Sequence, residues 1–347
     1  NISKGFLSEF IFLFHGINGR SGITDDKFVL PEDSHEASRI RSAKLDEYAY
    51  MMNDYLSRYP AGNKPEMEVT RNLSEKRIRK HFGAGARDWK DYRWQLKNVI
   101  HDSETLQSLV HLEPDEIRAL QFAEKNQIPF HITPYYLSLF NPSGRTRFDR
   151  PVRAQVLPSK DYCKKVAVSR VSGVDMDFMG EKSTSPIEGI TRRYPHIVIL
   201  KPVDTCPQIC VYCQRNWEIK PMHESRISRK TISRATDWIK KNKLISEVLI
   251  TGGDPLILPD DYLETLLEEL SRIRHIERIR IGTRVLVTLP FRITPRLVSI
   301  LKRYHEPGIR ELCIVTHFEH PVEITGDSLH AISRLRKAGL SIYNQQV

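Results

Sequence analysis

The sequence predicts an α/β fold, a parallel sheet of repeated βα units behind a helical N-terminal region, on three observations. Short β-branched runs recur after Tyr194, helix-like stretches separate them, and every cluster of chemically active residues falls just after a run. Parallel sheets place their ligands at the carboxyl ends of the strands, so the clusters share one predicted face.

The runs begin with HIVILKP at His196. EVLITGGDP from Glu247, IERIRIGTRV from Ile276, ELCIVTHF from Glu311 and LSIYNQQV from Leu340 follow. Between them, Ile232 to Lys241, Asp260 to Ile273, Thr294 to Tyr304 and Thr325 to Ala338 have helical apolar periodicity. Earlier, Ser38 to Tyr59 repeats apolar residues at three and four until PAGNKP ends it at Pro60. Asp88 to Ile100 reads as one helical block with Asp88 as its cap and Trp89, Tyr92 and Leu96 on one face. Leu112 to Asn126 has proline near its start, acids in the first turn and a stripe of Ile117, Leu120 and Phe122.

From Ile128 to Tyr194 the periodicity lapses, and six prolines punctuate a polar stretch. An empty loop of that length is unusual, so the segment is expected to lie against a catalytic domain and cover one opening. The expected division is a helical region at 1–127, an irregular connecting and covering segment at 128–194 and the βα units at 195–347. The last run ends the sequence, and a terminal parallel strand without a covering helix points to a missing C-terminal part.

The chain has 347 residues, 40% of them hydrophobic, with a formal charge of +10. That composition excludes disordered and fibrous classes, and no segment approaches the ~20 apolar residues of a membrane span. The early LSEFIFLF run, interrupted by Glu9, reads as one stripe of a helix suited to an interface in a homo-oligomer. No basic leader with a cleavage site precedes it, so no secretory signal is expected. The positive charge is dispersed in helical patterns. It therefore favours small anions over nucleic acid. Five cysteines, an odd number with three clustered, argue against a disulfide framework and for the reducing cytoplasm.

Those three, Cys206, Cys210 and Cys213, occupy a polar loop, TCPQICVYCQRNW, where the first β run ends. Three thiolates that close together suit iron and sulfide, and an iron that activates a ligand needs a position the protein leaves open. His196 or His317 could instead complete a zinc site, although structural zinc favours paired short spacings. Cys163 lies in the irregular segment, and Cys313 reads as an inert buried thiol. After the second run, Gly252 and Gly253 permit close backbone approach to a ligand, and Asp254 supplies an anion for an ammonium group.

The CxxxCx(aromatic)C pattern, with Tyr212 as the aromatic residue, and the GGDP segment resemble radical S-adenosylmethionine enzymes. More closely, WKDYRWQLKNVI, PFHITPYYLSL, RRYP, IGTRVLVTLPFRIT, THFEHPVEIT and NQQV resemble the lysine 2,3-aminomutase family. The likeness runs from Asp88 to the end and is not evident before it. It implies a partial (β/α)6 barrel of the TIM-like radical type, truncated here at the C-terminus. A [4Fe–4S] cluster would sit on Cys206, Cys210 and Cys213, and its open iron would chelate S-adenosylmethionine and yield a 5′-deoxyadenosyl radical. The implied reaction is 2,3-migration of the α-amino group of an amino acid, lysine by default, on pyridoxal 5′-phosphate. Electrons would come from a reducing protein such as ferredoxin or flavodoxin, with no nucleic acid and no membrane involved.

The resemblance assigns Arg215 to the substrate carboxylate, a task suited to a planar guanidinium. Lysine enzymes have three successive arginines there, whereas Gln214 and Asn216 flank this one, which leaves glutamate or another amino acid open as substrate. Arg193 matches a family arginine near the cofactor phosphate. A second family arginine falls at Ile197 and is absent, so Arg192 or Arg284 would substitute. Arg284 and His317 match cofactor-side segments, where each could equally hold its own loop. Asn344 and Gln345 either touch cofactor or satisfy backbone groups. No lysine here matches the one that anchors pyridoxal phosphate in the family; it would lie beyond Val347. Two other readings remain open at this point: a radical enzyme without pyridoxal phosphate, and a non-catalytic iron–sulfur or zinc protein that binds nucleic acid.

Overall fold

A computed structural model describes residues 4–20, 30–173, 175–215, 218–221 and 227–345. The chain divides into two compact units, Asn1–Arg58 and Tyr59–Val347. The first holds α1 (Lys4–Ile17) and α2 (Ser34–Ser57). Phe6, Phe10 and Phe14 stack along α1 at centroid distances of 4.7 and 6.2 Å, and all three are exposed. Asp33 caps α2 by accepting from the Glu36 amide at 2.7 Å. Among the described residues no helix is long and apolar enough to cross a membrane.

The second unit begins with α3 (Pro65–His81), α4 (Ala86–Lys90), α5 (Tyr92–Lys97), α6 (Ser103–Leu109), α7 (Pro114–Lys125), α8 (Pro134–Leu137), α9 (Arg150–Ala154) and α10 (Lys160–Ser172). The single block expected over Asp88 to Ile100 is two helices. Asp91 is extended (φ −84°, ψ 114°) and its side chain caps α5 on the Arg93 amide, while Asp88 reaches back to the Gly85 amide at 2.7 Å. A second aspartate able to cap three residues after the first splits the run. Within 128–194 the structure has α8, α9 and α10. The first two are a single turn each with proline in the first helical positions, too short to show a period.

The sheet follows as β1 (Ile190–Thr191), β2 (Ile197–Val203), α11 (Arg229–Lys241), β3 (Glu247–Gly252), α12 (Asp260–Ser271), β4 (Arg278–Gly282), α13 (Val285–Thr288), α14 (Pro295–Arg303), β5 (Glu311–Thr316), α15 (Gly326–Lys337) and β6 (Ser341–Asn344). Strand order is β1-β2-β3-β4-β5-β6, parallel from β2 onward, and β1 pairs antiparallel to β2. This is the expected partial barrel behind a helical region. Five parallel strands lie in the described residues, and the sixth strand is β1, whose two residues leave no alternation to read.

Alternation explains the packing. Val198, Leu200, Val248, Ile250, Ile279, Ile281, Leu312 and Ile314 are buried and pack in one core with Ile239, Leu263, Leu267, Leu297 and Leu335 of the helices. Each such side chain contributes about 1.5–3 kcal/mol by leaving water. A second core around Trp89, Ile100, Tyr135, Tyr136 and Phe140 reaches Val287 and Val322 in the loops after β4 and β5. Helices of the second unit that precede the sheet are thereby fixed against the carboxyl ends of the strands.

Candidate active site

The cysteine loop leaves β2 at Val203 and is held from outside the barrel. The Ile209 amide donates to His131 O at 3.1 Å and the Val211 amide to Gln155 O at 2.7 Å. His131 Nδ1 lies 3.3 Å from Cys206 O. Two residues between 128 and 194, His131 and Gln155, thus contact the loop. Cys206, Cys210 and Cys213 are half-buried free thiols, while Cys163 and Cys313 are fully buried. Burial, then the charge of Asp254 and of the other two cysteines, holds the Cys206 thiol well above its ordinary range. Burial and Cys210 push Cys213 to about 11. Three mutually repelling thiolates in one half-buried loop are stabilised by a cationic centre bound among them.

Among the described residues no three His, Cys, Asp or Glu side chains gather around one point as ligands of a single metal ion. His196 stands before β2, at the opposite end from the loop, with Nδ1 2.8 Å from Leu244 O. His317 follows β5 on the cysteine side, half-buried, with Nδ1 3.5 Å from Glu319 Oε1 and a pKa lowered chiefly by burial.

Gly252 and Gly253 make their close approach to protein backbone. Gly252 has φ 110°, and a Cβ there would meet Val203 O at 2.8 Å; at Gly253 it would lie 2.1 Å from Thr205 O. The Gly253 amide donates to Val203 O at 2.7 Å and the Asp254 amide to Thr205 O at 3.1 Å. These contacts seat the cysteine loop on the end of β3. Gly253→Ala is expected to cost about 1–3 kcal/mol through overpacking and to lower iron loading, as read by thermal denaturation and iron content. Asp254 is buried, and its oxygens accept from Thr283 Oγ1 at 2.6 Å, the Arg284 amide at 2.8 Å and the Leu256 amide at 3.1 Å. It ties the β3 loop to the β4 loop.

Arg284 lies against the cysteines. Nη1 donates to Cys210 Sγ at 3.1 Å, Nη2 to Glu323 Oε1 at 2.6 Å and to Gln155 Oε1, and Nε to His317 O at 3.3 Å. Its guanidinium also stacks between the Tyr136 and Tyr212 rings, 5.4 and 5.6 Å from their centroids. Asn344 accepts from the Phe318 amide at 2.7 Å and donates to Phe318 O at 3.2 Å, so it satisfies backbone groups of the β5 loop. Gln345 is exposed, with its amide on Thr316 O at 2.8 Å. Asn216, Gln346 and Val347 lie outside the described residues.

Arg215 and Arg193 meet on one carboxylate. Glu181 Oε1 accepts from Arg215 Nη2 at 2.8 Å and from Arg193 Nη2, and Oε2 accepts from Lys201 Nζ at 3.3 Å and Thr191 Oγ1 at 3.2 Å. The cations outweigh the cost of burial, Arg215 foremost, and hold the Glu181 carboxyl below its ordinary range. Lys201 also lies 2.5 Å from Glu218 Oε1. Sequence reasoning missed Glu181 and Lys201; the available signal was a lysine inside the apolar run IVILKPV. Arg192 turns away and donates to Pro195 O at 2.8 Å. Two groups therefore converge on the strand ends: Cys210, Arg284 and His317 around the cysteine loop, and Arg193, Lys201, Glu181 and Arg215 beside it. The Arg215 amide joins them, donating to Cys213 Sγ at 3.4 Å.

The Radical SAM superfamily pattern matches residues 200–343. An uncharacterised KamA family protein of Methanocaldococcus jannaschii is 35% identical over 100% of this chain and 59% of its own length. That match extends the likeness to the first 87 residues, where the motifs alone did not reveal it. The glutamate 2,3-aminomutase of Clostridioides difficile is 35% identical over 90% of the chain and 71% of its own length. The L-lysine 2,3-aminomutase of Methanococcus maripaludis is 37% identical over 81% and 60%. The chain thus spans about six tenths of the length of the two archaeal relatives. Strand order, cysteine loop and identity agree: the chain belongs to the lysine and glutamate 2,3-aminomutase family of the radical SAM superfamily.

Proposed function

We propose that the protein is a radical S-adenosylmethionine 2,3-aminomutase acting on an α-amino acid, lysine or glutamate. The observation that supports this best is Arg215, two residues beyond Cys213, held by Glu181 beside a loop of three cysteines that form no disulfide. A [4Fe–4S] cluster fits the donor set, because three thiols on one loop offer soft ligands to three irons and leave the fourth open. Bound there with S-adenosylmethionine, the cluster supplies a 5′-deoxyadenosyl radical. The remaining work belongs to the chain. Arg215 fixes the substrate carboxylate, His131 and Gln155 hold the loop against water, and Arg284 donates to Cys210 Sγ.

Pyridoxal phosphate is carried by the family likeness as the amine carrier. Its fit to the described residues is incomplete: Arg193 is already paired with Glu181, and Lys201 is held by two carboxylates. In this reading the protein works in the reducing cytoplasm with a small electron-transfer protein as reductant. Anaerobically reconstituted, reduced protein given S-adenosylmethionine, pyridoxal phosphate and L-lysine or L-glutamate is expected to form 5′-deoxyadenosine and a β-amino isomer. Turnover that persists without pyridoxal phosphate would favour the radical enzyme lacking that cofactor. Absence of 5′-deoxyadenosine, with tight salt-sensitive binding of RNA or DNA, would favour the non-catalytic reading.

A further inference from the structure

Lys201 follows Ile197 by four residues, an even spacing that keeps one face of a strand. The β2–β3 register shifts between Leu200 and Val203, around Lys201 and Pro202, and such irregularities re-aim side chains beside sites. Lys201 is the cation that β2 itself brings to Glu181. Glu181, only 1% exposed, is anchored at its backbone as well: its amide donates to Asp177 Oδ1 at 2.8 Å and its carbonyl accepts from Ser185 Oγ at 2.6 Å. With each oxygen taking two donors, this carboxylate is a fixture rather than a ligand's stand-in. Arg215 and Arg193 each keep a buried Nε without a hydrogen-bond partner.

We propose that Glu181 and Lys201 set the charge and aim of the Arg215 site so that it takes one carboxylate and disfavours a phosphate dianion, an inference that rests on the aminomutase reading. Among the described residues, three cations (Arg193, Lys201, Arg215) face two carboxylates (Glu181, Glu218). One positive charge is left. An amino acid carboxylate neutralises it, whereas a phosphate monoester carries about −1.5 to −2 and overfills it. Glu181 acts through Arg215 and is a positioning residue. Lys201 supplies the charge that Glu181 and Glu218 would otherwise cancel. Arg193 shares the Glu181 carboxylate with Arg215 and so counts toward that charge.

Calorimetric titration of the anaerobically reconstituted protein tests this, with L-lysine, L-glutamate, 1,5-diaminopentane and inorganic phosphate as probes. Lys201→Met leaves the cluster neutral and is expected to weaken amino acid binding about tenfold or more, raising KM with kcat little changed. The carboxylate-free diamine should not respond. Glu181→Gln overcharges the cluster and should make amino acid binding more sensitive to chloride than it is in the wild type. The double variant restores the single charge and should return affinity to within about threefold of wild type. Should Glu181→Gln not fold, the Lys201→Met titration decides alone. Amino acid affinity in Lys201→Met within about twofold of wild type, or phosphate displacing the amino acid more readily than chloride does, overturns the proposal. These titrations read binding whether or not turnover occurs. Loss of 5′-deoxyadenosine in the wild type would strike the aminomutase reading instead.

Discussion

Serine in place of Cys206, Cys210 or Cys213 is expected to abolish both the iron–sulfur absorbance and 5′-deoxyadenosine formation, whereas serine at Cys163 or Cys313 should leave them intact. The contrast follows from position. The first three share the half-buried loop after β2, clamped by His131 and Gln155 and seated on Gly253. Cys163 is buried in α10 with Sγ facing Ala119 O at 4.0 Å, and Cys313 is buried in β5 paired with Arg280 and Ser341. Burial pushes each of those two thiols to about 11, as it does Cys213, so position and not acidity sets them apart from the loop cysteines. A soft metal centre draws on several thiols from one segment, and among the described residues the cysteine loop supplies three. Iron content per chain and the absorbance of anaerobically purified variants check this.

Arg215→Ala is expected to lower amino acid turnover by more than about tenfold while reductive cleavage of S-adenosylmethionine stays detectable. Nη2 is committed to Glu181, while Nε makes no hydrogen bond and lies 4.0 Å from Glu218 Oε2, so one edge is fixed and another donor remains. Alanine removes that donor and leaves Glu181 to Arg193 and Lys201. Arg215→Lys should recover little, because an ammonium cannot keep the Glu181 contact and offer a second aligned donor. Parallel assays of β-amino acid and 5′-deoxyadenosine separate the two steps. Equal loss of both would move Arg215 to a role in holding the cysteine loop, through its amide contact with Cys213.

Where apolar periodicity was long, the fold was legible. The helices Asp260 to Ile273 and Thr325 to Ala338 lie within two residues of α12 and α15, and each β run contains its strand except the first, where β2 runs one residue further, to Val203. Where local capping decided, it was not: Asp91 breaks a run that reads continuous, and α8 is one turn launched by Thr133 and Pro134. In α10, KDYCKKVAVSRVS buries only Cys163 and Val166, so no apolar stripe announces a helix. In the site, the cysteines, Arg215 and Arg193 stand out because their residue types are costly to place together. Glu181 stayed hidden. A buried carboxylate is recognised by its partners, and those lie 10 to 34 residues away on β1, β2 and the cysteine loop. Asp254, read as facing a ligand, turns out to have its oxygens engaged by Thr283 and Arg284 for the same reason: sequence does not show which loop folds back on which.

Electron paramagnetic resonance of the reduced, oxygen-protected protein, recorded with and without S-adenosylmethionine, tests the central claim most directly. A [4Fe–4S] signal that shifts when S-adenosylmethionine is added, and that is lost with any one of Cys206, Cys210 and Cys213, is the predicted result. Bound zinc, or an iron–sulfur signal indifferent to S-adenosylmethionine because every iron is held by the polypeptide, would contradict it.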